Sequence, residues 1–152
     1  MIQDERYLCF NLGKEEFAIS LLSVREVIGI PEVTPIPQMP SHFIGIMNLR
    51  GSVISIMDLR IKMGIKPGSQ EEACVVILDL GEFYMGVIVD RVNSVSRIPQ
   101  ESVAEKPQME NSKISQAIAG VWQKEDKLVL LLDVAKALSL EERTVASRSI
   151  AS

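Results

Sequence analysis

Few residues in this chain have types and spacing that could do chemistry. A cysteine thiol beside a histidine would make a nucleophile, and the sequence holds one histidine, His42, and two cysteines, Cys9 and Cys74. His42 stands in a proline-rich connection, and each cysteine lies inside an apolar strand pattern far along the chain from it. Thiols so placed read as reduced core residues rather than as a nucleophile or a disulfide framework. A metal needs several convergent ligands. One histidine, two distant cysteines and scattered carboxylates do not supply them. Phosphate-binding glycine spacing is also missing: Gly13, Gly81 and Gly86 fall at turns or inside strands, where a tight bend or a bulge is the expected use. The sequence predicts no enzyme, no metal and no cofactor. It leaves binding as the function to be found.

Composition narrows the kind of partner. The chain has 152 residues, 47% of them hydrophobic and 24% charged, which fits one ordinary globular domain with a sizeable core. Its net charge is −4, from 16 basic and 20 acidic residues without a Lys/Arg run, so nucleic acid is not an expected partner. The start, Met1-Ile2-Gln3-Asp4-Glu5-Arg6, lacks a basic segment leading into an apolar one, and no window of about 18 uninterrupted apolar residues occurs. Secretion and membrane insertion are therefore not expected.

The local patterns are mostly those of strands. Residues 7–12 and 17–19 read as a hairpin across Gly13-Lys14-Glu15-Glu16, and residues 75–80 and 83–89 repeat that shape across Gly81-Glu82. Val24 to Ile28 reads as a half-exposed strand and Leu128 to Leu132 as a buried one. Pro31, Pro35, Pro37 and Pro40 impose an extended connection over residues 31–40. Two short helices are predicted to start at Asp58 and Asp133, whose carboxylates can accept from the first free amides. The tail from Glu141 to Ser152 is polar and predicted to fray.

These elements occur twice. A displacement of 68 residues lays Leu12-Gly13 on Leu80-Gly81, Val24 and Val27 on Val92 and Val95, and Ile30-Pro31 on Ile98-Pro99. A longer loop in the second copy raises the displacement to 75, so that Gly45 meets Gly120 and Asp58 meets Asp133. Two copies are too few for a solenoid, and many short strands with glycine and proline turns predict a pair of small β-barrels. The expected arrangement is one domain over 1–152 with pseudo-repeats 6–65 and 74–140, whose lobes could exchange strands, and a polar tail over 141–152. One arm differs between the copies: Asn48-Leu49-Arg50-Gly51 in the first stands against Gln123-Lys124-Glu125-Asp126 in the second.

The stretch from Met39 to Gly64, Met-Pro-Ser-His-Phe-Ile-Gly-Ile-Met-Asn-Leu-Arg-Gly-Ser-Val-Ile-Ser-Ile-Met-Asp-Leu-Arg-Ile-Lys-Met-Gly, closely resembles the core motif of the CheW family of bacterial chemotaxis adaptors. The resemblance extends over roughly residues 6–140, through Phe17-Ala18-Ile19, Val24-Arg25-Glu26-Val27, Gly86 to Asp90 and Leu130 to Asp133. Ser55 departs from it, since many members carry proline there. The resemblance implies a mainly all-β fold of two five-stranded SH3-like barrel lobes related by pseudo-duplication, with short helices. It also implies a non-catalytic adaptor, monomeric in isolation and cytoplasmic, recruited to membrane-associated chemoreceptor arrays. Its partners would be the cytoplasmic tip of chemoreceptors, a helical hairpin, and the regulatory domain of a CheA-type histidine kinase.

Residue roles follow from the resemblance position by position. Val24, Glu26 and Val27 match positions associated with receptor binding, as do Gly45 and Arg50 of the glycine and Asn-Leu-Arg-Gly positions. For the two valines a plain core role stays open, because the second copy has Val92 and Val95. Glu26 and Arg50 have Ser94 and Glu125 as counterparts, which predicts an ion pair peculiar to the first copy. Ile28, Ile30, Val33 and Ile36 lie in or beside a loop, where polar residues are usual, and are expected to be exposed apolar material that an interface would explain. The resemblance makes Val33 and Ile36 kinase-binding candidates. The alternative is that they staple the loop to its own barrel, and for Ile36 this is the stronger expectation. The leading function is coupling of chemoreceptors to the kinase. Alternatives are a module of a related kinase pathway in twitching or developmental signalling, a kinase regulatory fragment, or a small-ligand carrier.

Overall fold

The computed structural model of the chain describes residues 6–105, 117–138 and Glu142. β1 (Arg6–Leu12) and β2 (Glu15–Ser20) form a hairpin, and a 3-10 turn (Leu21–Ser23) leads into β3 (Val24–Gly29). The proline-rich connection follows, then the hairpin of β4 (Phe43–Leu49) and β5 (Ser52–Asp58), and then α1 (Leu59–Met63). The second half supplies β6 (Cys74–Asp79), β7 (Tyr84–Val89), β8 (Arg91–Arg97), the two-residue β9 (Val103–Ala104), β10 (Ile118–Lys124), β11 (Lys127–Leu132) and α2 (Val134–Ala137). Both helices start on aspartate caps: Asp58 accepts from the Arg60 amide and Asp133 from that of Lys136. Gly64, at φ 70°, ends α1 in the left-handed conformation that glycine adopts without a Cβ penalty.

The strands form two sheets, ordered β3-β6-β7-β5-β4 and β8-β1-β2-β11-β10-β9. We name each lobe by its edge strand, the β3 lobe and the β8 lobe. Each contains a hairpin from the other half of the sequence: β1 and β2 stand among the later strands, and β6 and β7 among the earlier ones. The displacements of 68 and 75 carry one pairing onto the other residue by residue. Val24 opposite Leu78 becomes Val92 opposite Phe10, and the parallel pair Ser55 with Met85 becomes Leu130 with Phe17. Both edge strands carry a bulge at the same place, between Val24 and Glu26 and opposite Cys9/Phe10. The sixth strand, β9, pairs Ala104 with Val121; the β3 lobe has a single bridge there, between Thr34 and Ile46.

Strand exchange explains the long apolar runs of β1, β6 and β7, because these strands bury both faces. On β1, Leu8, Phe10 and Leu12 enter the seam between the lobes, while Tyr7 and Cys9 enter the β8-lobe core. On β6, Val76 and Leu78 enter the seam, and Val75 and Ile77 the β3-lobe core. The seam is the largest of the three clusters, and in it Phe10 stacks on Phe17 with ring centroids 6.2 Å apart. Each fully buried side chain of this size contributes about 1.5–3 kcal/mol, so the lobes are one cooperative unit. Burial also pushes both cysteine thiols above their ordinary pKa.

Three expectations need correction. Gly86 lies inside a strand, β7, but serves neither bend nor bulge: an added Cβ would stand 2.6 Å from Ile56 Cδ1 and 2.7 Å from Val75 Cγ1, so the side chains of the flanking strands fill the place its own would take. Ile28 and Val33 are not exposed apolar residues, since both are half-buried against the β3-lobe core. Ile30 and Ile36 are exposed, so within the connection Val33 acts as the staple and Ile36 does not. The tail over 141–152 lies outside the described residues except for Glu142, which is buried, accepts from Lys62 Nζ at 2.7 and 2.9 Å and stands against His42.

Candidate partner-binding edge

The turn that differs between the repeats is a two-residue hairpin loop. Leu49 pairs with Ser52, and Arg50 and Gly51 between them take φ 52° and 90°, the left-handed values that match the twist of the flanking strands. An arginine pays for that conformation with strain that must be held in place. Asn48 Oδ1 accepts from the Gly51 amide at 2.8 Å. The Arg50 guanidinium donates from Nη1 and Nη2 to the two carboxylate oxygens of Glu26, both at 2.6 Å. This fork-on-carboxylate geometry is the strongest form of such a pair. The hydrogen bonds lower the Glu26 pKa and raise that of Arg50.

The pair also closes the lobe. Glu26 is on β3 and Arg50 follows β4, the two opposite ends of the sheet order, so their contact shows that the sheet has rolled upon itself. At the corresponding positions the β8 lobe has Ser94 and Glu125, the latter at φ 56°, so neither the acid nor the base of this pair recurs there.

Beside the pair, β3 is an edge strand with one side open for pairing or packing. Val24 is half-buried on the seam cluster, as is Val92 of the other edge strand, β8. Val27 and its counterpart Val95 are 41% and 52% exposed. The structure thus separates the two valines: Val24 packs on the core, and Val27 offers its surface. Arg25 completes the edge by donating to the Tyr84 hydroxyl at 3.1 Å, its guanidinium 4.8 Å from the ring centroid.

Gly45 lies inside, away from this edge. A Cβ there would stand 2.2 Å from the Thr34 carbonyl oxygen, and Thr34 and Ile46 exchange backbone hydrogen bonds of 2.8 and 2.9 Å. The glycine lets the proline-rich connection cross β4. Its counterpart Gly120 lies under the matching crossing, where a Cβ would stand 2.5 Å from Val103 Cγ1 and 3.1 Å from the Ala104 carbonyl oxygen. Close to Gly45 the surface has a depression of about 540 Å³ lined by Pro31, Glu32, Thr34, Ile46, Asn48 and Val53 among others, with exposed Ile36 further along the same connection.

The sequence reading missed a buried charge cluster at the far end of the β3 lobe. Arg60 of α1 donates to Asp58 from Nε at 2.9 Å and Nη2 at 3.0 Å, and from Nη1 to Asp90 at 2.6 Å and to Gln70 at 2.7 Å. The Asp90 carboxylate also accepts from the amides of Gly13 and Gly68. Burial pushes the Asp90 pKa up, but the Arg60 hydrogen bond and the two amides outweigh it and leave the group below its ordinary value. A signal was present: Asp58-Leu59-Arg60 in one repeat stands against Asp133-Val134-Ala135 in the other. Among the described residues, no three His, Cys, Asp or Glu side chains are grouped to hold a metal ion, and no helix is long and apolar enough to cross a membrane.

Comparison with known proteins gives the family. The profile of the CheW-like domain covers residues 6–142. The chain belongs to the CheW-like domain family. It is 34% identical to the chemotaxis protein CheW of Klebsiella aerogenes over 91% of this chain and 84% of that one. It is 30% identical to the chemotaxis protein CheW of Treponema pallidum over 93% and 87%. The crystal structure of the scaffolding protein TtCheW from Thermoanaerobacter tengcongensis superimposes with a TM-score of 0.77 at 29% identity, covering 86% of this chain and 89% of that one. The family's two-lobed β architecture is therefore that of this chain.

Proposed function

We propose that the chain is a non-catalytic chemotaxis adaptor that couples the cytoplasmic tip of chemoreceptors to the regulatory domain of a CheA-type histidine kinase. The observation that carries the receptor half of this reading is the asymmetry between the lobes. Only the β3 lobe pairs an edge-strand carboxylate, Glu26, with a turn arginine, Arg50, beside an exposed Val27. A helical hairpin laid along β3 would bury Val27 and meet the guanidinium, the helix-in-groove mode in which a few anchors carry most of the affinity. Val24 supports that surface from below and Gly45 acts through the connection it lets pass. The kinase half rests on the depression beside the connection, with Val33 fixing the loop and Ile36 exposed on it.

The mechanism needs no bond to be made or broken. Two sites on one rigid body raise the effective concentration of kinase near receptor and fix their orientation, and receptor signals then bias the kinase between states. Binding of a receptor signalling fragment, measured by calorimetry, tests the receptor half: Val27→Glu is expected to weaken it about tenfold or more, and full affinity would reject the edge as the site.

A further inference from the structure

The bulge that both edge strands share carries different chemistry in each. In β3 the register shifts between Val24, opposite Leu78, and Glu26, opposite Ile77, so Arg25 is the extra residue. In β8 the extra residue is Asn93, between Val92 opposite Phe10 and Ser94 opposite Cys9. A bulge re-aims the side chain it carries. The displacement of 68 lays Arg25 on Asn93 and Glu16 on Tyr84, and each bulge residue reaches that same neighbour. Asn93 Nδ2 donates to Glu16 Oε2 at 3.1 Å, and Arg25 Nη1 donates to the Tyr84 hydroxyl at 3.1 Å.

The charges differ as well. Asn93 is neutral and bound within its own lobe: its amide also donates to Asn11 Oδ1, and its carbonyl accepts from Arg91 Nε at 2.8 Å. Arg25 is a guanidinium laid on the Tyr84 ring, with its central carbon 4.8 Å from the ring centroid. Tyr84 is half-buried against the β3-lobe core, so the stack holds an exposed cation on a fixed base. Neither the ring nor the hydroxyl carries a charge, and both oxygens of Glu26 are taken by Arg50. The Glu26 pKa, lowered first by Arg50, is lowered further by the charge of Arg25, so the three groups lie within reach of one another. Two guanidiniums against one carboxylate leave this stretch of the edge with a surplus positive charge, in a chain whose total is −4. The guanidinium has five N–H donors in a planar fork, and the Tyr84 hydroxyl uses one. Exposed Val27 follows two residues later on the same strand. From the bulge, the stack and the surplus charge, we infer that Arg25 is a specificity residue of this edge, pairing with a carboxylate of the receptor helix whose apolar side chain covers Val27. This rests on the receptor-binding reading above and adds to it the sign of the charge that the partner must carry.

The test is calorimetry of the full chain with a chemoreceptor signalling fragment at low and high salt, using Arg25→Gln, Arg25→Lys and Val27→Glu. Arg25 is exposed, so thermal midpoints of its variants are expected to stay within a few degrees of the natural chain's. Arg25→Gln is expected to weaken binding about tenfold at low salt and to flatten its salt dependence. Arg25→Lys keeps the charge but loses the fork and the stack, and is expected to weaken binding less while retaining the salt dependence. If Arg25→Gln binds like the natural chain, or binds more weakly with the salt dependence unchanged, the inference is overturned. Weakening by Val27→Glu in the same experiment would then leave the receptor reading standing. If the natural chain does not bind the fragment, both fall.

Discussion

The two lobes have the same strand order, the same bulges and the same aspartate-capped helices, yet their charged side chains differ at the positions that close them. The β3 lobe has Glu26 with Arg50 across its rolled edge and Arg60 with Asp58 and Asp90 at its end; the β8 lobe has Ser94, Glu125, Ala135 and Leu22 in the matching places. These charged pairs are therefore not needed to build a lobe of this kind, whose apolar clusters are present in both. The added charges tie one copy together at its end and specialise its turn.

The sharpest way to break this comparison is to remove the charge that only one lobe has. Arg60→Ala leaves Asp58 and Asp90 buried without their cation, which is expected to cost about 3–5 kcal/mol and to lower the thermal midpoint by roughly 10 °C in a melt followed by circular dichroism. A loss below about 1 kcal/mol would show that the cluster does not hold the lobe end.

A smaller contrast separates the two crossing glycines. Gly45→Ala puts a Cβ 2.2 Å from a backbone carbonyl at φ 154°, whereas Gly120→Ala meets chiefly the Val103 side chain, at 2.5 Å, which can move. Denaturant titration is expected to show a loss of about 2 kcal/mol or more for Gly45→Ala and a smaller one for Gly120→Ala. Equal losses would mean that the connection yields as easily as a side chain.

Acid should reveal the same asymmetry. Asp90 has a folded pKa below its ordinary value near 3.8, so its contribution to stability is complete above that value and is lost as pH falls through the lower, folded one. Stability measured between pH 5 and pH 2 is expected to fall less steeply in Asp90→Asn than in the natural chain. An unchanged slope would remove Asp90 as a source of acid sensitivity.

The smallest effect on stability is expected at the turn. Arg50 is exposed, so Arg50→Ala should leave the melt almost unchanged while weakening receptor-fragment binding severalfold, and Glu125→Ala at the matching turn should alter neither. A large shift in the melt would make the pair with Glu26 a structural clamp before anything else.

Much of this was legible in the sequence for local reasons. Asp58 and Asp133 announce their helices because a short carboxylate before an apolar run has one evident use, and the hairpins follow from apolar runs interrupted by Gly13 and Gly81. That the lobes could exchange strands was open from the sequence, but which hairpins exchange, β1–β2 with β6–β7, was not legible, since repeats give the order of strands within a copy and not which copy a hairpin joins. The sequence does not show which side of a loop faces in, so Val33 and Ile36 were weighted the wrong way for stapling. Arg60 passed unnoticed because, on a short helix, a buried guanidinium and a solvated one have the same sequence pattern.

The central claim is that the chain links receptor to kinase and meets the receptor at the β3 edge, and the direct test is autophosphorylation of a CheA-type kinase with a receptor signalling fragment, with and without this chain. The account predicts that receptor control of the kinase requires the natural chain and is weakened by Arg50→Ala and Val27→Glu but not by Glu125→Ala. Kinase output indifferent to the chain, or equal control by all three variants, would contradict it.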